Sequence, residues 1–293
     1  MLINVGTRVF RIVHGYDRIT IWFDRSHLPV PLMLLTQYCR GLTVEVRQMR
    51  KHPLWKLKME VFQPSPRFFR KLLEHLRGLR VLISYIEIAR DILPLEPDDL
   101  DELERAWLAS ATFPRAHFPK VLVCRKTYYF NRAKKGGKKT RDIPVMYADR
   151  PSKQPRRGVN VRRKIRNEDD PKCLHQEWRR HGSAAIGEFG ISSIADLQAF
   201  DFAAFFERQM PFRKLLPRSQ TELGALLPGK RKVTDDSKRK RARQFIAAAT
   251  LKNGRFILHN AIRTAHPKFA TKLMPMTLME WLHNTFSGKP GAD

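Results

Sequence analysis

The chain has 293 residues, of which 42% are apolar, and it carries 56 Lys and Arg against 28 Asp and Glu, a formal net charge of +28. This excess predicts a polyanionic partner, DNA or RNA first and an anionic membrane surface as the alternative. No apolar run reaches the roughly 18 residues of a transmembrane helix, and Met1 to Arg11 is too short and broken for a secretory signal. We therefore expect a cytoplasmic protein with no membrane partner.

Several common chemistries are excluded by the absence of their motifs. The three cysteines Cys39, Cys124 and Cys173 lie far apart with no CxxC spacing, so we expect reduced, buried thiols and no zinc site. The sequence has neither a Walker A lysine loop nor a GxGxxG motif, which argues against nucleotide hydrolysis.

The first half of the chain predicts alternating strands and helices. Strands are expected where apolar and polar residues alternate, and helices where apolar residues recur every three or four positions. Pro66 near the start and Gly78 after the end favour a helix between them. The predicted strands cover 17–24, 42–49, 54–62 and 81–91, and the predicted helices cover 29–39, 65–77 and 96–109.

The second half predicts a hairpin, a basic loop, a further strand and helices. The sum is an α+β fold, an antiparallel sheet covered by helices, with a basic helical C-terminal region. The hairpin joins 121–130 to 143–147, the loop covers 150–170, the strand covers 173–181, and short helices cover 194–197 and 202–208. We predict a domain over 1–215, a linker over 216–238 and the C-terminal region over 239–293.

Carboxylates in apolar strands are the first candidate site. Glu87 and Asp91 share one face of the strand over 81–91, since side chains alternate along a strand. Buried carboxylates are costly without a cation or a hydrogen-bond partner. His175 and Glu177 share a face of a second strand, and if the strands are neighbours the four side chains form an oxygen-rich site for Mg²⁺ or Mn²⁺. The alternative is that Glu87 pairs with an arginine such as Arg179 and Asp91 caps the strand end.

A tyrosine is the second candidate. Tyr147 ends a short strand, and a tyrosine hydroxyl can attack a phosphodiester and hold it covalently. Tyr128 and Tyr129 form the competing candidate pair. The alternative is a packed ring with a solvated hydroxyl, the commoner fate of a tyrosine at a strand end.

Basic clusters over 134–141, 156–166 and 230–243 are the third candidate. They suit contacts to backbone phosphates, although a single such cluster is usually only a solvated surface. The predicted DNA-binding residues are Lys134, Lys135, Lys138, Lys139, Arg141, Arg150, Lys153 and Arg179.

Together these segments resemble the replication initiation factor (Rep-trans-like) family of rolling-circle plasmids and filamentous phages. The resemblance covers roughly residues 15 to 215. The segments that carry it are 83–91 (ISYIEIARD), 127–132 (TYYFNR), 145–149 (VMYAD), 173–180 (CLHQEWRR) and 190–197 (GISSIADL), followed by Asp201 and Phe202.

The resemblance implies a metal-assisted nick in one DNA strand at an origin hairpin or single strand, in replication initiation or mobilisation. It places the nucleophile on Tyr147 and metal-binding acids on Glu87, Asp91 and Glu177. A host helicase and a second copy of the chain are further implied partners. The family's lysine after the tyrosine is replaced, since Ala148, Asp149 and Arg150 follow Tyr147 and Lys153 comes later.

Two other functions stay open. The first is a non-catalytic origin binder or repressor on the same fold. The second is an RNA-binding or ribosome-associated basic protein, which accounts for the charge but leaves the carboxylates of an apolar strand unexplained.

Overall fold

The computed structural model of the chain describes residues 1–28, 30–50, 52–76, 78–113, 121–124, 127–130, 141–151, 171–228, 234–251 and 266–287. Its contacts divide the chain into two compact units. The sheet unit comprises residues 12–92 and 133–202, and the helical unit comprises residues 1–11, 93–132 and 203–293. No helix in these described ranges is long and apolar enough to cross a membrane.

The elements are numbered along the chain. The strands are β1 (Leu2–Val5), β2 (Arg8–Phe23), β3 (Gly41–Val46), β4 (Leu57–Phe62), β5 (Val81–Pro94), β6 (Val121–Cys124), β7 (Thr127–Phe130), β8 (Asp142–Pro151), β9 (Lys172–His181), β10 (Phe212–Leu215) and β11 (Leu273–Met276). The helices are α1 (Leu32–Thr36), α2 (Pro66–His75), α3 (Asp99–Ser110), α4 (Ser183–Gly187), α5 (Ile194–Ala199), α6 (Phe202–Gln209), α7 (Pro217–Leu226), α8 (Asp235–Leu251) and α9 (Leu278–Phe286), with a 3₁₀ helix over Pro267–Lys272.

The sheet unit is built on strands in the order β3-β4-β2-β5-β9-β8. The pairs β3–β4, β4–β2, β5–β9 and β9–β8 all run antiparallel. Helix α2 buries Phe68, Phe69 and Leu72, and the ring of Phe69 lies 5.8 Å from that of Tyr16 in β2. An antiparallel sheet with helices packed on it confirms the α+β fold predicted from the sequence.

The helical unit is held by aromatic and aliphatic contacts. The rings of Phe212 and Trp281 stack with centroids 4.1 Å apart, and Phe10 of β2 packs against Phe286 of α9 at 4.8 Å. Helices α7 and α8 pack against each other around a small core. The buried members of that core are Leu215, Leu223, Ala242, Phe269 and Leu273.

Two predicted elements differ from the structure. The single strand predicted over 121–130 is two strands, β6 and β7, which pair with each other antiparallel. The segment 216–238, predicted as a linker, contains α7 and the start of α8, and Leu223 within it is fully buried. Its proline, glycine and charge content suggested a linker, but Pro217 opens α7 at a position where proline suits a helix. The predicted division into a domain over 1–215 and a C-terminal region over 239–293 stays a prediction.

A substitution at Gly224 tests how closely α7 and α8 pack. A Cβ atom at this position would overlap the backbone carbonyl of Lys238 in α8. We expect Gly224→Ala to lower the free energy of unfolding by about 1–3 kcal/mol, because a backbone atom cannot move aside without separating the helices. Urea unfolding followed by circular dichroism measures the change. Gly187→Ala in α4 is the control, since its Cβ would meet no atom within 4 Å; equal midpoints for the two variants would contradict the packing.

Candidate metal centre and tyrosine

The register of β5 against β9 brings together the side chains predicted to share two strand faces. Asp91 lies opposite His175, Ala89 opposite Glu177, and Glu87 opposite Arg179. Side chains opposite each other in an antiparallel pair lie on the same face of the sheet. The sequence therefore predicted the alternation correctly, and the cross-strand pairing turns two local patterns into one cluster.

His175 is the centre of this cluster. Its ring is fully buried, and Nδ1 lies 2.5 Å from Oδ1 of Asp91. Nε2 faces Oε2 of Glu177 at 3.2 Å and Oδ2 of Asp17, from β2, at 3.4 Å. Three carboxylates thus surround one imidazole, one on the Nδ1 side and two on the Nε2 side.

The charge on His175 follows from these neighbours. Burial alone would lower the pKa of the ring, but the carboxylates of Asp91 and Asp17, with the hydrogen bonds to Asp91 and Glu177, outweigh burial and raise the pKa to about 9. At neutral pH the metal-free ring is therefore an imidazolium with protons on both nitrogens. A metal ion at Nε2 would have to displace one of those protons.

The donor atoms fit a divalent cation. Ligand atoms of Asp17, His175 and Glu177 all lie within 4.8 Å of one another, and the three residues are buried. Neighbouring ligands of an octahedral ion with bonds of about 2.1 Å are about 3.0 Å apart. The distances from Nε2 of His175 to Oε2 of Glu177 and to Oδ2 of Asp17, 3.2 Å and 3.4 Å, are close to this value. Two carboxylates with one imidazole suit Mn²⁺ or Mg²⁺. These three residues would hold the ion, whereas Asp91 would fix the ring by accepting from Nδ1.

Asp17 was missed in the sequence analysis. It is 3% exposed and stands within β2, at the first position of the strand predicted over 17–24. A buried carboxylate in an alternating strand is the same signal that singled out Glu87 and Asp91. Nothing in the sequence shows, however, that β2 lies next to β5 in the sheet.

Glu87 belongs to a neighbouring network rather than to the three-ligand set. It accepts a hydrogen bond from the hydroxyl of Tyr85 and lies 3.7 Å from Nε of Arg179. Arg179 also donates to Oε1 of Glu177. Burial and the Glu177 carboxylate raise the pKa of Glu87 to about 7, against the effect of Arg179. The alternative weighed for Glu87, a pairing with Arg179, is the arrangement that the structure has.

Tyr147 lies directly beside the histidine. It stands opposite His175 in the β8–β9 register, and the two rings stack with centroids 4.4 Å apart. The guanidinium of Arg150 lies 5.0 Å from the centre of the tyrosine ring. The side chain of Tyr147 is only 2% exposed. The β8 register shifts immediately after it, between Tyr147 and Arg150.

The other predicted residues fall in different places. Arg141 is exposed, and Arg150 and Arg179 are partly exposed near the cluster. Tyr129 is half-buried in β7 of the helical unit. Lys134, Lys135, Lys138, Lys139 and Lys153 lie outside the described residues, as does the basic cluster over 156–166.

Comparisons with known proteins give one match. No protein-family model matches the chain, and a comparison with curated proteins finds no match. Among solved structures the chain is similar to the rolling circle replication initiator protein from Geobacillus stearothermophilus, with 11% identity over 80% of this chain and 96% of that chain and a TM-score of 0.34. That protein is of the class that the sequence motifs resemble.

Metal binding tests the three-ligand set. We expect the protein to bind one Mn²⁺ ion in isothermal titration calorimetry, and Asp17→Asn to weaken binding by more than the roughly 10–100-fold that loss of an outer-shell partner costs. Glu87→Gln is the matched control, because Glu87 faces Arg179 rather than Nε2 of His175. Loss of binding in Glu87→Gln with retention in Asp17→Asn would instead favour the ligand set predicted from the sequence.

The role of Asp91 as an orienting residue makes a second prediction. In protein labelled with ¹⁵N-histidine, Mg²⁺ should remove the proton from Nε2 of His175 and leave that on Nδ1, which Asp91 accepts. Asp91→Ala should weaken Mg²⁺ binding about 10–100-fold and mix the tautomers. Asp91→Asn keeps an acceptor oxygen and should preserve the Nδ1–H form. If His175 keeps the pure Nδ1–H form in Asp91→Ala, Asp91 does not orient the ring.

Proposed function

We propose that the chain is a replication initiator that nicks one strand of DNA at an origin, with Tyr147 as the nucleophile and a divalent ion held by Asp17, His175 and Glu177. The observation that carries the proposal is the stacking of Tyr147 on His175, at 4.4 Å between ring centres. The stacking brings the tyrosine ring beside a buried cluster of carboxylates suited to a cation, which supports the proposed role of Tyr147. The net charge of +28 supports a polyanionic substrate.

The tyrosine would exchange one phosphate ester for another. Its phenolic oxygen forms a bond to the phosphorus of the scissile phosphodiester while the bond from phosphorus to the 3′-oxygen breaks. The phenol loses one proton and the departing 3′-oxygen gains one, so the exchange is neutral in protons and electrons. The protein would keep the 5′-phosphate and release a 3′-hydroxyl that can prime synthesis.

The surrounding residues hold the reacting groups in place. A bound divalent ion supplies positive charge that polarises a phosphate oxygen. Asp91 orients the ring of His175 through Nδ1, and Arg179 holds one oxygen of Glu177. The guanidinium of Arg150 lies over the tyrosine ring, and a cation there can offset charge on an approaching phosphate.

A non-catalytic origin binder is the second candidate. One observation favours it: the side chain of Tyr147 is 2% exposed, so its hydroxyl would have to turn outward to meet a substrate. Under this alternative the carboxylates and His175 form a structural charge cluster. The two functions differ in whether the tyrosine hydroxyl is needed.

A nicking assay tests the proposal. Supercoiled plasmid carrying the native replicon is incubated with the protein and either Mn²⁺ or EDTA, treated with protease, and run on a denaturing gel. We expect metal-dependent nicks with peptide on the 5′ end. Tyr147→Phe should reduce nicking to background while leaving the fold intact, because the phenylalanine ring can stack on His175 as the tyrosine ring does.

The matched control is Tyr129→Phe, in the competing tyrosine pair, which should leave nicking unchanged. Loss of nicking in Tyr129→Phe with retention in Tyr147→Phe would move the nucleophile to Tyr129. Specific origin binding without a nick under any metal would establish the non-catalytic binder.

A further inference from the structure

The sheet unit carries a basic site apart from the acidic group of Asp17, His175 and Glu177, which is here called the metal cluster. The stripe Arg67, Arg70, Lys71 and Glu74 follows the outer side of α2, at spacings of three and four residues that place side chains on one helix face. The opposite side of the helix is buried. Together with Tyr38 this stripe lines a groove of about 300 Å³, here called the α2 groove.

The charges of the α2 groove are poorly balanced by the protein. Glu74 pairs with Lys71 at 2.8 Å and is the one acid among the described residues that line the groove. Within the described ranges, no carboxylate lies within 4.0 Å of Arg67 or Arg70, and both side chains are exposed. The lining therefore keeps a charge of +2, from three basic side chains and one acid. This charge favours an anionic ligand.

Tyr38 adds an aromatic ring beside these cations. The residue is half-buried, and its backbone is fixed at both ends: its N–H donates to Leu35 at 3.0 Å, and its carbonyl accepts from Ser65 at 2.8 Å. Ser65 is the N-cap residue of α2. The backbone of Tyr38 is thus held next to the start of the helix that carries Arg67 and Arg70, and its side chain lines the groove with them. An aromatic ring next to cations is the combination that binds unpaired nucleotides, because the ring stacks on the base and the cations pair with the phosphate.

The α2 groove and the metal cluster lie on opposite faces of the sheet. Consecutive side chains of a strand point to opposite faces. In β2, Tyr16 packs against Phe69 of α2 whereas Asp17 faces Nε2 of His175. Nucleotides in the groove would therefore belong to a different part of the strand from the phosphate at the metal cluster.

We propose that the α2 groove is an accessory binding site for single-stranded DNA, with phosphates at Arg67 and Arg70 and one base stacked on Tyr38. Identifying the strand as DNA rests on the proposed function, whereas the charge and the ring are features of the groove itself. Its volume lies at the lower end of the range of about 300–1,000 Å³ for ligand sites. A groove of this size has room for a single nucleotide and not for a duplex.

Fluorescence anisotropy with a labelled oligothymidine, in EDTA and over a range of salt concentrations, tests the site. Each phosphate contact to a single strand contributes about 0.7 to the slope of log K against log salt. The double variant Arg67→Ala/Arg70→Ala should therefore reduce that slope by about 1.4. Arg218→Ala is the control, because the Arg218 side chain is 93% exposed in the helical unit and should leave the slope unchanged.

Tyrosine variants separate stacking from charge. Tyr38→Ala should weaken binding of the oligothymidine by at least about fivefold without changing the salt slope. Tyr38→Phe keeps the ring and should bind as the unaltered protein does. Duplex of the same length should be bound equally by Tyr38→Ala and the unaltered protein. Circular dichroism melting confirms that each variant is folded.

The outcomes separate this site from the nicking activity. The proposal that the α2 groove binds single-stranded DNA would be contradicted by an unchanged salt slope in Arg67→Ala/Arg70→Ala. Equal effects of Tyr38→Ala on the binding of single strand and of duplex would contradict it as well. Because the assay contains EDTA, its result does not depend on nicking. If the protein never nicks DNA but shows these changes in binding, the proposed binding site is supported and the proposed nicking function is contradicted.

Discussion

The hydrogen bond from Nδ1 of His175 to Asp91 is 2.5 Å long and fully buried, and it joins β5 to β9 at the candidate metal centre. It fixes the ring, and the ring in turn directs Nε2 toward Asp17 and Glu177. Three carboxylates around one imidazolium leave an excess of negative charge in a buried place, which Arg179 offsets only in part. Buried charges are costly unless they are matched. A divalent cation at Nε2 would balance the charge and would fit the donor atoms, so the same ion would stabilise the site and serve the proposed chemistry.

Strand register is the constraint that makes this arrangement sensitive. The side-chain period of a strand is two, so a slip of one residue between β5 and β9 would turn one strand's site residues away from those of the other. The apolar side chains specify the register: Ile86, Ile88 and Ile92 are fully buried, and a slip would move them out of the core. The same packing that stabilises the sheet therefore sets the positions of the site residues.

The sequence predicted the local parts of the site but not the assembly. Alternation alone placed His175 with Glu177 and Glu87 with Asp91, because the strand period is a local property. Asp17 was missed because the pairing of β2 next to β5 joins residues far apart in the chain. Helix α2 was predicted from Pro66 at its start and Gly78 after its end. Helix α7 was not predicted, because Gly224, which allows close helix packing, is in the sequence a residue typical of loops.

The distribution of charge unites the two proposed sites. A net charge of +28 attracts polyanions in general, so charge alone cannot position a particular phosphate. The metal cluster is locally acidic and would repel a phosphate until a cation binds, so the proposed nicking would require a bound cation before the phosphate approaches. Phosphate binding at the α2 groove would not require a cation, because Arg67 and Arg70 are basic and exposed in the metal-free protein. If both proposals hold, a strand can be bound at the groove on one face of the sheet before a cation binds at the opposite face.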